Sequence, residues 1–420
     1  MRRFLLGLLV LAMPNVARAG SCGLDVVPAA TLLLPYFEVD LDNPTGHTTL
    51  FSVANAGDGA ALAHVILWTD LAVPTLAFDV YLTGYDVQTI NLRDVFSGNL
   101  PRTADDLRDP TDTISSQGDL SGDTSFPGCE GLLPPAPLDP AFRDNLRRVH
   151  QGLSSLSDGK CSAQRYQDGV ARGYVTVDVA RRCSFSSPHD PTYFGPSGVA
   201  GTDNVLWGDF YYINPAENFA QGENLVRIQA DLELTGNVRT FYRRYVSPPG
   251  ADLREPLPST WGTRFLNGGV FSGGTELIAW RDLGRKGESF ACNPPLAWNP
   301  MTQDAMVIFD EQENPDVPQT FPGIPIPQVK FVPFPGAANR VLTDSASLPL
   351  PFNFGWLFLN LNDSSFGGSD DPIRQAWVGA VSNAEGRFSV GMQATPFDSG
   401  CNPGSSFPGM TVGDLQEGRR

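Results

Sequence analysis

The sequence predicts a mostly β protein made of two antiparallel β-sandwich domains. Three observations favour this fold class. The 420 residues include 43 glycines and 36 prolines and only 18% are charged, a composition typical of many short strands joined by turns. Several segments alternate apolar and polar residues with the period of a strand. A mature chain of about 400 residues also exceeds what one hydrophobic core usually serves, so two domains are expected.

The first nineteen residues predict a cleavable export signal. Arg2 and Arg3 precede an apolar run at 4–13, and the small-residue cleavage pattern Ala17-Arg18-Ala19 follows. The mature chain would then begin near Gly20. The apolar run is too short to span a bilayer and no second one follows, so no transmembrane segment is predicted. The expected location is secreted, periplasmic or at the cell surface.

The charge balance of the chain is strongly acidic. The full sequence has a net charge of −17, and removal of residues 1–19 leaves 26 basic and 46 acidic residues, a net charge of −20. Such a surface repels phosphate backbones, so nucleic acid is excluded as a partner. For an exported chain, the expected partner is a cell-surface protein or a glycan.

Strand patterns run through the predicted first domain, residues 20–246. Alternation and apolar runs separated by turns predict strands at 49–55, 61–68, 78–83 and 87–92. This succession resembles an immunoglobulin-like sandwich in pattern, a resemblance that carries no function. Further strands are predicted at 173–179, 205–213, 224–234 and 238–246.

One segment of the first domain has helical periodicity. Apolar residues recur every three or four positions near 139–158, with Asp139 as N-cap, Pro140 in the first turn and Gly159 as the stop. The sequence therefore predicts one amphipathic helix, inserted in the first sandwich and covering a sheet edge.

The second domain is predicted at 260–404, after a proline-rich linker at 247–259 and before a flexible tail at 405–420. The proline-rich stretch 312–351 is interpreted as a long loop packed on the sandwich, with docking to a partner as the alternative.

The two domains could be a divergent tandem duplication, because three landmarks return in the same order. The alternative is that any two β-sandwiches share such tryptophans, turns and strands. The proposed matches are Thr49-Leu50-Phe51 and Trp68 with Thr263-Arg264-Phe265 and Trp280, 173–179 with 355–361, and Trp207 with Trp377.

Six cysteines remain after cleavage, which predicts disulfides in an exported chain. Six cysteines allow 15 connectivities, and the positions of the cysteines along the sequence favour one set of three pairs. Cys22 could instead carry a lipid, because it lies just past the cleavage site. The predicted pairs are Cys292 with Cys401, Cys129 with Cys161, and Cys22 with Cys183.

Acidic loop tips offer a candidate calcium site, and no other cofactor is expected. Asp40, Asp42 and Asn43 form one group, and Asp363 and Asp370 belong to a second group in a glycine-rich turn. Carboxylate and amide oxygens suit calcium, but the same side chains often serve only to satisfy turn backbone.

No catalytic motif stands out. The sequence has neither Gly-x-Ser-x-Gly nor HExxH, and His64 lies in an apolar strand where a hydrogen-bonded core role is expected. The leading hypothesis is an exported, non-enzymatic protein with a structural, adhesive or ligand-binding role.

The alternative is a secreted carbohydrate-active protein, either a binding module or a hydrolase that uses acidic residues. Trp207, Asp209 and Tyr211 share one face of a predicted strand and are the candidate ligand-binding residues. A hydrolase would need two carboxyl groups about 5 to 9 Å apart. The candidate carboxylates are Asp209, Glu217, Glu223 and Asp231.

Overall fold

The fold was derived from a computed structural model of the full chain. The described residues are 24, 26–101, 128–129, 131–133, 135–234, 240–246, 252–292, 306–316, 332–345, 348–362 and 375–401. The predicted signal at 1–19, the tail at 405–420, Cys22, Asp363 and Asp370 lie outside these residues.

The protein is mostly β, with four antiparallel sheets. Strands β1–β10 form two sheets, in the orders β10-β1-β6-β3-β4 and β5-β2-β8-β9, with β7 also paired to β2. Strands β11–β19 form the other two, in the orders β14-β13-β16-β11-β19 and β15-β12-β17-β18. The strands of the first half are β1 Thr31–Asp40, β2 Thr48–Asn55, β3 Ala61–Thr69, β4 Pro74–Leu82, β5 Val87–Asn91, β6 Val170–Ala180, β7 Leu206–Trp207, β8 Asp209–Asn214, β9 Phe219–Asn224 and β10 Val226–Ile228. Those of the second half are β11 Thr260–Leu266, β12 Gly274–Arg281, β13 Met306–Asp310, β14 Pro315–Asp316, β15 Ala338–Leu342, β16 Phe354–Asn360, β17 Ala376–Ala384, β18 Phe388–Gln393 and β19 Thr395–Pro396. This architecture is consistent with β-sandwich domains, while the immunoglobulin-like arrangement stays a prediction.

Helices are few and short among the described residues. They are α1 Leu92–Phe96, α2 Pro140–His150 and two 3₁₀ helices, Pro215–Glu217 and Phe241–Arg244. None of these helices has the length and apolar character needed to cross a membrane.

Helix α2 begins where the sequence predicts, because Asp139 Oδ1 accepts the N–H of Ala141 at 2.9 Å and Pro140 occupies the first turn. The predicted end near 158 is wrong, since the helix ends at His150. The reason is Gly152, whose φ of +69° takes the chain out of the helix and whose missing side chain leaves room for the Gln164 backbone.

The segment before the predicted linker differs from its predicted strand at 238–246. Its described part forms the 3₁₀ helix Phe241–Arg244, because Thr240 Oγ1 accepts the N–H of Tyr242 at 3.2 Å and caps a tight turn. The predicted strand at 224–234 is likewise shortened to β10, which ends at Ile228.

Both halves of the chain contribute to one cluster of buried apolar residues. At its centre Trp68 stacks on Tyr174 with ring centroids 5.6 Å apart, and Tyr174 meets Trp280 of the second half edge to face at 5.9 Å. The described part of the predicted linker, 252–259, is also packed: Leu257 donates its N–H to Gln375 Oε1 at 2.9 Å. The halves therefore share a core.

The strand pairing corrects two of the three duplication landmarks. Trp68 of β3 pairs with Tyr174 of β6, and Trp280 of β12 pairs with Trp377 of β17. The strand of the second half that corresponds to β6 is therefore β17. The sequence comparison matched 173–179 of β6 with 355–361, but that segment belongs to β16, which pairs with β11 and β13. Trp377 thus corresponds in pairing to Tyr174 and not to Trp207.

The disulfides also differ from the predicted pairs. Cys129 is bonded to Cys183, and Cys161 is bonded to Cys292 across the two halves. An isolated bridge between Cys161 and Phe290, with N–H···O bonds of 2.9 and 2.8 Å, brings residue 292 to Cys161. The predicted partners of these four cysteines are therefore wrong; Cys401 is also disulfide-bonded. The disulfides indicate an oxidising, extracytoplasmic environment.

Candidate functional site

The three predicted ligand-binding residues lie on one exposed face of the β5-β2-β8-β9 sheet. Trp207 is 40% and Tyr211 45% exposed, and Asp209 lies between them. The register explains this, since strand residues two apart point to the same side. The cross-strand neighbours of the two aromatic residues lie on β2 and are small or half-buried: Ala54 is opposite Trp207 and Leu50 is opposite Tyr211. We call Trp207, Asp209 and Tyr211 the aromatic row.

The Tyr211 ring lies flat over the neighbouring strand. Tyr211 pairs with Gly222 of β9, and a Cβ built on Gly222 would lie 2.4 Å from the ring. Glycine at this position therefore lets the ring rest on the sheet and present its other face to solvent. Asp209 is oriented as well, because Ser52 Oγ donates to its Oδ1 at 2.5 Å. A flat aromatic face beside an oriented carboxylate is suited to stacking and hydrogen bonding with a polar ring.

The four candidate catalytic carboxylates do not converge. Asp209 pairs with Asn224, whereas Glu223 pairs with Phe210, so Asp209 and Glu223 lie on opposite faces of the sheet. Asp231 accepts the N–H of Glu233 at 2.8 Å within a turn. Glu217 lies at a polar cleft beyond the end of β8, and Glu223 lies at a separate pocket together with Phe210 and Trp377. The structure therefore does not bring these residues together as an acid and base pair.

A polar cleft of about 290 Å³ lies where β8 and β9 meet strands of both halves. Glu38 of β1 comes from the first half, and Glu276 of β12 and Arg340 of β15 come from the second. Its full lining is Glu38, His47, Tyr212, Ile213, Asn214, Glu217, Phe219, Glu276 and Arg340. We call it the junction cleft.

Arg340 holds the two halves together at the junction cleft. Its guanidinium forms ion pairs with both Glu38 and Glu276, with Nε 2.9 Å from Glu276 Oε2. Burial alone would lower the pKa of Arg340, but the charges of Glu38 and Glu276 together outweigh burial and raise this pKa above its ordinary value. Tyr36 supports the pair by donating its hydroxyl to Glu38 Oε2 at 3.1 Å. Both glutamates are thereby engaged by the same guanidinium.

Sequence reasoning missed three residues of the junction cleft, Glu38, Glu276 and Arg340. Arg340 is 302 residues from Glu38 and 64 residues from Glu276 along the chain, and no local sequence pattern marks any of the three. Only the pairing of β12 with β15 and the packing of β1 beside them place these side chains together.

The first calcium candidate is a loop filled by a side-chain cation. Arg93 donates to the backbone carbonyls of Asp40, Asn43, Gly46 and His47 at 2.7 to 3.0 Å. Asp40 Oδ1 accepts the N–H groups of Asp42 and Asn43 at 3.0 and 2.9 Å, and Asn43 Oδ1 accepts from Thr45. No group of acidic, histidine or cysteine side chains suited to a metal occurs within the described ranges. The loop geometry favours the turn-satisfying role for these residues.

His64 has the buried, hydrogen-bonded role that its strand predicts. Its Nδ1 lies 2.7 Å from Asp79 Oδ1 and its Nε2 lies 2.8 Å from the Ser186 carbonyl, so both nitrogens face acceptors. Burial alone would lower the pKa of His64, but the Asp79 carboxylate and the Ser186 carbonyl raise it above its ordinary value. Both ring nitrogens are therefore engaged, with none left for a ligand or a substrate.

His64 belongs to a row of polar side chains that crosses the buried face of one sheet. Cross-strand pairing places Asp79, His64, Asp178 and Thr31 side by side on β4, β3, β6 and β1. Asp178 accepts the hydroxyls of Tyr193 and Tyr242 at 2.7 and 3.0 Å. We call these four strand residues the buried polar row.

Arg254 completes the charge balance of the buried polar row. Its guanidinium lies 3.4 Å from Asp178 Oδ1, donates to the Gly201 carbonyl at 2.9 Å, and is only 1% exposed. Asp79 and Asp178 then face His64 and the Arg254 guanidinium. The row is a structural element that ties 252–254 to the first half.

Two further buried groups, Asp70 and His150, make the stability of the folded protein depend on pH in opposite directions. Burial raises the pKa of Asp70 to about 7, although Gln164 donates two hydrogen bonds to its carboxylate. The folded state therefore holds a proton on Asp70 where the unfolded chain does not, and this group's contribution to stability falls as pH rises from about 4 to 7. Burial lowers the pKa of His150 to about 4, so its contribution falls as pH drops from about 6.5 to 4.

We expect Asp70→Asn to become more stable relative to the parent as pH rises from 4 to 8. A pKa raised by about three units corresponds to a relative gain of roughly 4 kcal/mol at full ionisation. Urea denaturation at pH 4, 6 and 8 measures the difference. His150→Gln is the matched comparison, because its stability relative to the parent should instead rise as pH falls below 6.5. A difference between Asp70→Asn and the parent that stays constant with pH would contradict the burial of an ionisable carboxyl.

Comparison with known proteins adds no identity to these features: no family model, curated protein or solved structure matches this chain.

Proposed function

We propose that this chain is an extracytoplasmic, non-enzymatic binding protein that attaches to a glycan through the aromatic row. The observation that carries the proposal is the exposure of Trp207 and Tyr211 on one sheet face with Asp209 between them. Four residue steps of extended chain place the backbone positions of Trp207 and Tyr211 about 13 Å apart, a span that fits an oligosaccharide better than a single sugar. Export through the predicted signal at 1–19 belongs to the same proposal.

The geometry supports binding over hydrolysis. Asp209 and Glu223 lie on opposite faces of the sheet, and Glu38 and Glu276 are both ion-paired with Arg340. A glycosidase needs one carboxyl free to donate a proton to the leaving group, and both of these cleft glutamates are engaged by the same guanidinium. An adhesive or structural role is compatible with the same surface, since a fold whose two halves share a core can present it to a cell-wall or matrix glycan.

We expect Trp207→Ala to weaken glycan binding by at least about tenfold, because exposed aromatic rings at the centre of a contact carry much of its energy. A glycan array identifies the ligand, and titration calorimetry then compares the variants. Gly222→Val tests the same surface without removing a ring, since a side chain there displaces Tyr211.

Trp356→Ala is the matched control, because Trp356 of β16 is 45% exposed but belongs to another sheet. Equal losses in the two tryptophan variants, or glycan binding untouched by Trp207→Ala, would refute the aromatic row as the site. Thermal melting checks that all three variants stay folded.

A further inference from the structure

Three polar side chains cross the sheet at the midpoint of the aromatic row. Asp209 of β8 pairs with Asn224 of β9 on one side. On the other side Ser52 of β2 donates from its Oγ to Asp209 Oδ1 at 2.5 Å. These residues therefore form a line across three strands that passes between the Trp207 and Tyr211 rings. We call Ser52, Asp209 and Asn224 the crossing row.

The crossing row offers a ligand one acceptor and one donor. Asp209 Oδ2 has no hydrogen-bond partner among the described residues, and it is not one of their buried unpartnered atoms, so it is open to solvent. Asn224 is exposed, and Arg227 donates to its Oδ1 at 3.1 Å. This bond directs the amide oxygen to Arg227 and leaves the Nδ2 amino group for a ligand.

The charges beside the crossing row favour a ligand without net charge. Asp209 brings one carboxylate and Arg227 one guanidinium, so the two charges balance. The Nε atom of Arg227 is buried, so this edge of the guanidinium faces the protein and not the rings. A ligand that spans the rings passes over the Asp209 carboxylate, on a chain whose net charge is −17. An anionic group there would be repelled.

We propose that the aromatic row selects neutral oligosaccharides over acidic ones, with Asp209 and Asn224 binding adjacent hydroxyl groups of the sugar between the rings. A sugar hydroxyl both donates and accepts, so one can donate to Asp209 Oδ2 while its neighbour accepts from Asn224 Nδ2. Paired residues on antiparallel strands have Cα atoms about 4.5 to 5.5 Å apart, close enough to reach one sugar ring together. This inference rests on the proposed glycan-binding function.

A uronic acid has a similar ring and similar hydroxyl groups but adds a carboxylate to each sugar. Two like charges about 5 Å apart in water repel enough to weaken binding about fourfold. The Asp209 carboxylate therefore supplies selection by charge, and the two rings supply affinity that is common to both kinds of sugar.

Titration calorimetry with hexasaccharides tests this selection on the full protein. The neutral probes are the hexamers of glucose, xylose, mannose and N-acetylglucosamine, and the acidic probe is the hexamer of galacturonic acid. We expect the tightest neutral probe to bind at least about fourfold more tightly than the acidic probe at low salt. Added sodium chloride should narrow this difference.

Two variants of the crossing row separate charge from hydrogen bonding. Asp209→Asn should narrow the difference between neutral and acidic binding about fourfold, because it removes the repelling charge and keeps the shape. Asn224→Leu should weaken binding of the neutral probe about threefold to tenfold, because it removes the donor.

Asp344→Asn is the matched control for Asp209→Asn, because Asp344 is an exposed carboxylate that follows β15 in the other half of the chain. It should leave the ratio of neutral to acidic affinity unchanged. The proposal is overturned if the acidic probe binds as tightly as the best neutral one, if Asp209→Asn changes the ratio no more than Asp344→Asn, or if Asn224→Leu has no effect.

Trp207→Ala distinguishes failure of this selection from failure of the proposed function. If Trp207→Ala weakens binding but neutral and acidic probes bind equally, glycan binding by the aromatic row stands and only the selection is wrong. If no hexasaccharide binds, or if Trp207→Ala leaves the affinity unchanged, both proposals are refuted. Unchanged melting temperatures of the variants exclude unfolding as the cause of any loss.

Discussion

Replacing Arg254 with methionine is expected to lower the free energy of unfolding by about 3 to 5 kcal/mol. The guanidinium is 1% exposed and balances Asp178, which is fully buried. Methionine keeps much of the apolar packing but leaves the Asp178 carboxylate in the core with only hydroxyl donors. Urea denaturation followed by tryptophan fluorescence measures the loss.

A charge-removing partner variant separates the electrostatic part of this effect. Asp178→Asn combined with Arg254→Met should be less destabilised than the sum of the two single variants, because no unpaired charge remains buried. Arg143→Met is the surface control, since the Arg143–Asp144 pair is 35% and 56% exposed and should contribute less than about 1 kcal/mol. Additive effects of the two core substitutions would show that Arg254 and Asp178 do not interact energetically.

Removing the Cys161–Cys292 disulfide is expected to destabilise the protein by about 2 to 5 kcal/mol. The bond closes a sequence separation of 131 residues, and long closed loops give the largest restriction of the unfolded chain. The double variant Cys161→Ser, Cys292→Ser is compared with the parent by urea denaturation under oxidising conditions.

Ser289→Ala provides the control for the same contact. Ser289 Oγ lies 2.9 Å from Ser162 Oγ, one residue from Cys161, so the variant loses a polar contact there without opening the covalent link. Its expected effect is below about 1.5 kcal/mol. A double cysteine variant no less stable than Ser289→Ala would mean that the bond adds nothing to the packing between the halves.

Local sequence pattern predicted much of the first half because its strands are bounded by clear turns. Strands β2, β3, β5 and β6 and the start of α2 were all visible in this way. Strand β1 was not, since Thr31–Asp40 is buried on both faces and contains Pro35 near a register shift between Leu34 and Phe37. It lacks the alternation that a half-buried strand shows.

The candidate sites likewise differ in how far local sequence pattern could predict them. The aromatic row lies on one continuous stretch of chain, so alternation alone placed Trp207, Asp209 and Tyr211 on one face. The junction cleft and Arg254 depend on pairings between distant segments, as do the disulfides. Turn residues such as Gly152 and Thr240 were decisive too, because each ends or redirects an element through one backbone contact.

The two described disulfides interleave along the chain, which sets a condition on how the protein matures. Cys161 lies between Cys129 and Cys183, yet its partner Cys292 is made more than a hundred residues later. An oxidant acting on the growing chain meets Cys129, Cys161 and Cys183 before the correct partner of Cys161 exists. A wrong disulfide formed early between two of these cysteines must be exchanged by thiolate attack. Correct maturation therefore requires either oxidation that waits for the second half or a disulfide isomerase in the compartment where the chain folds.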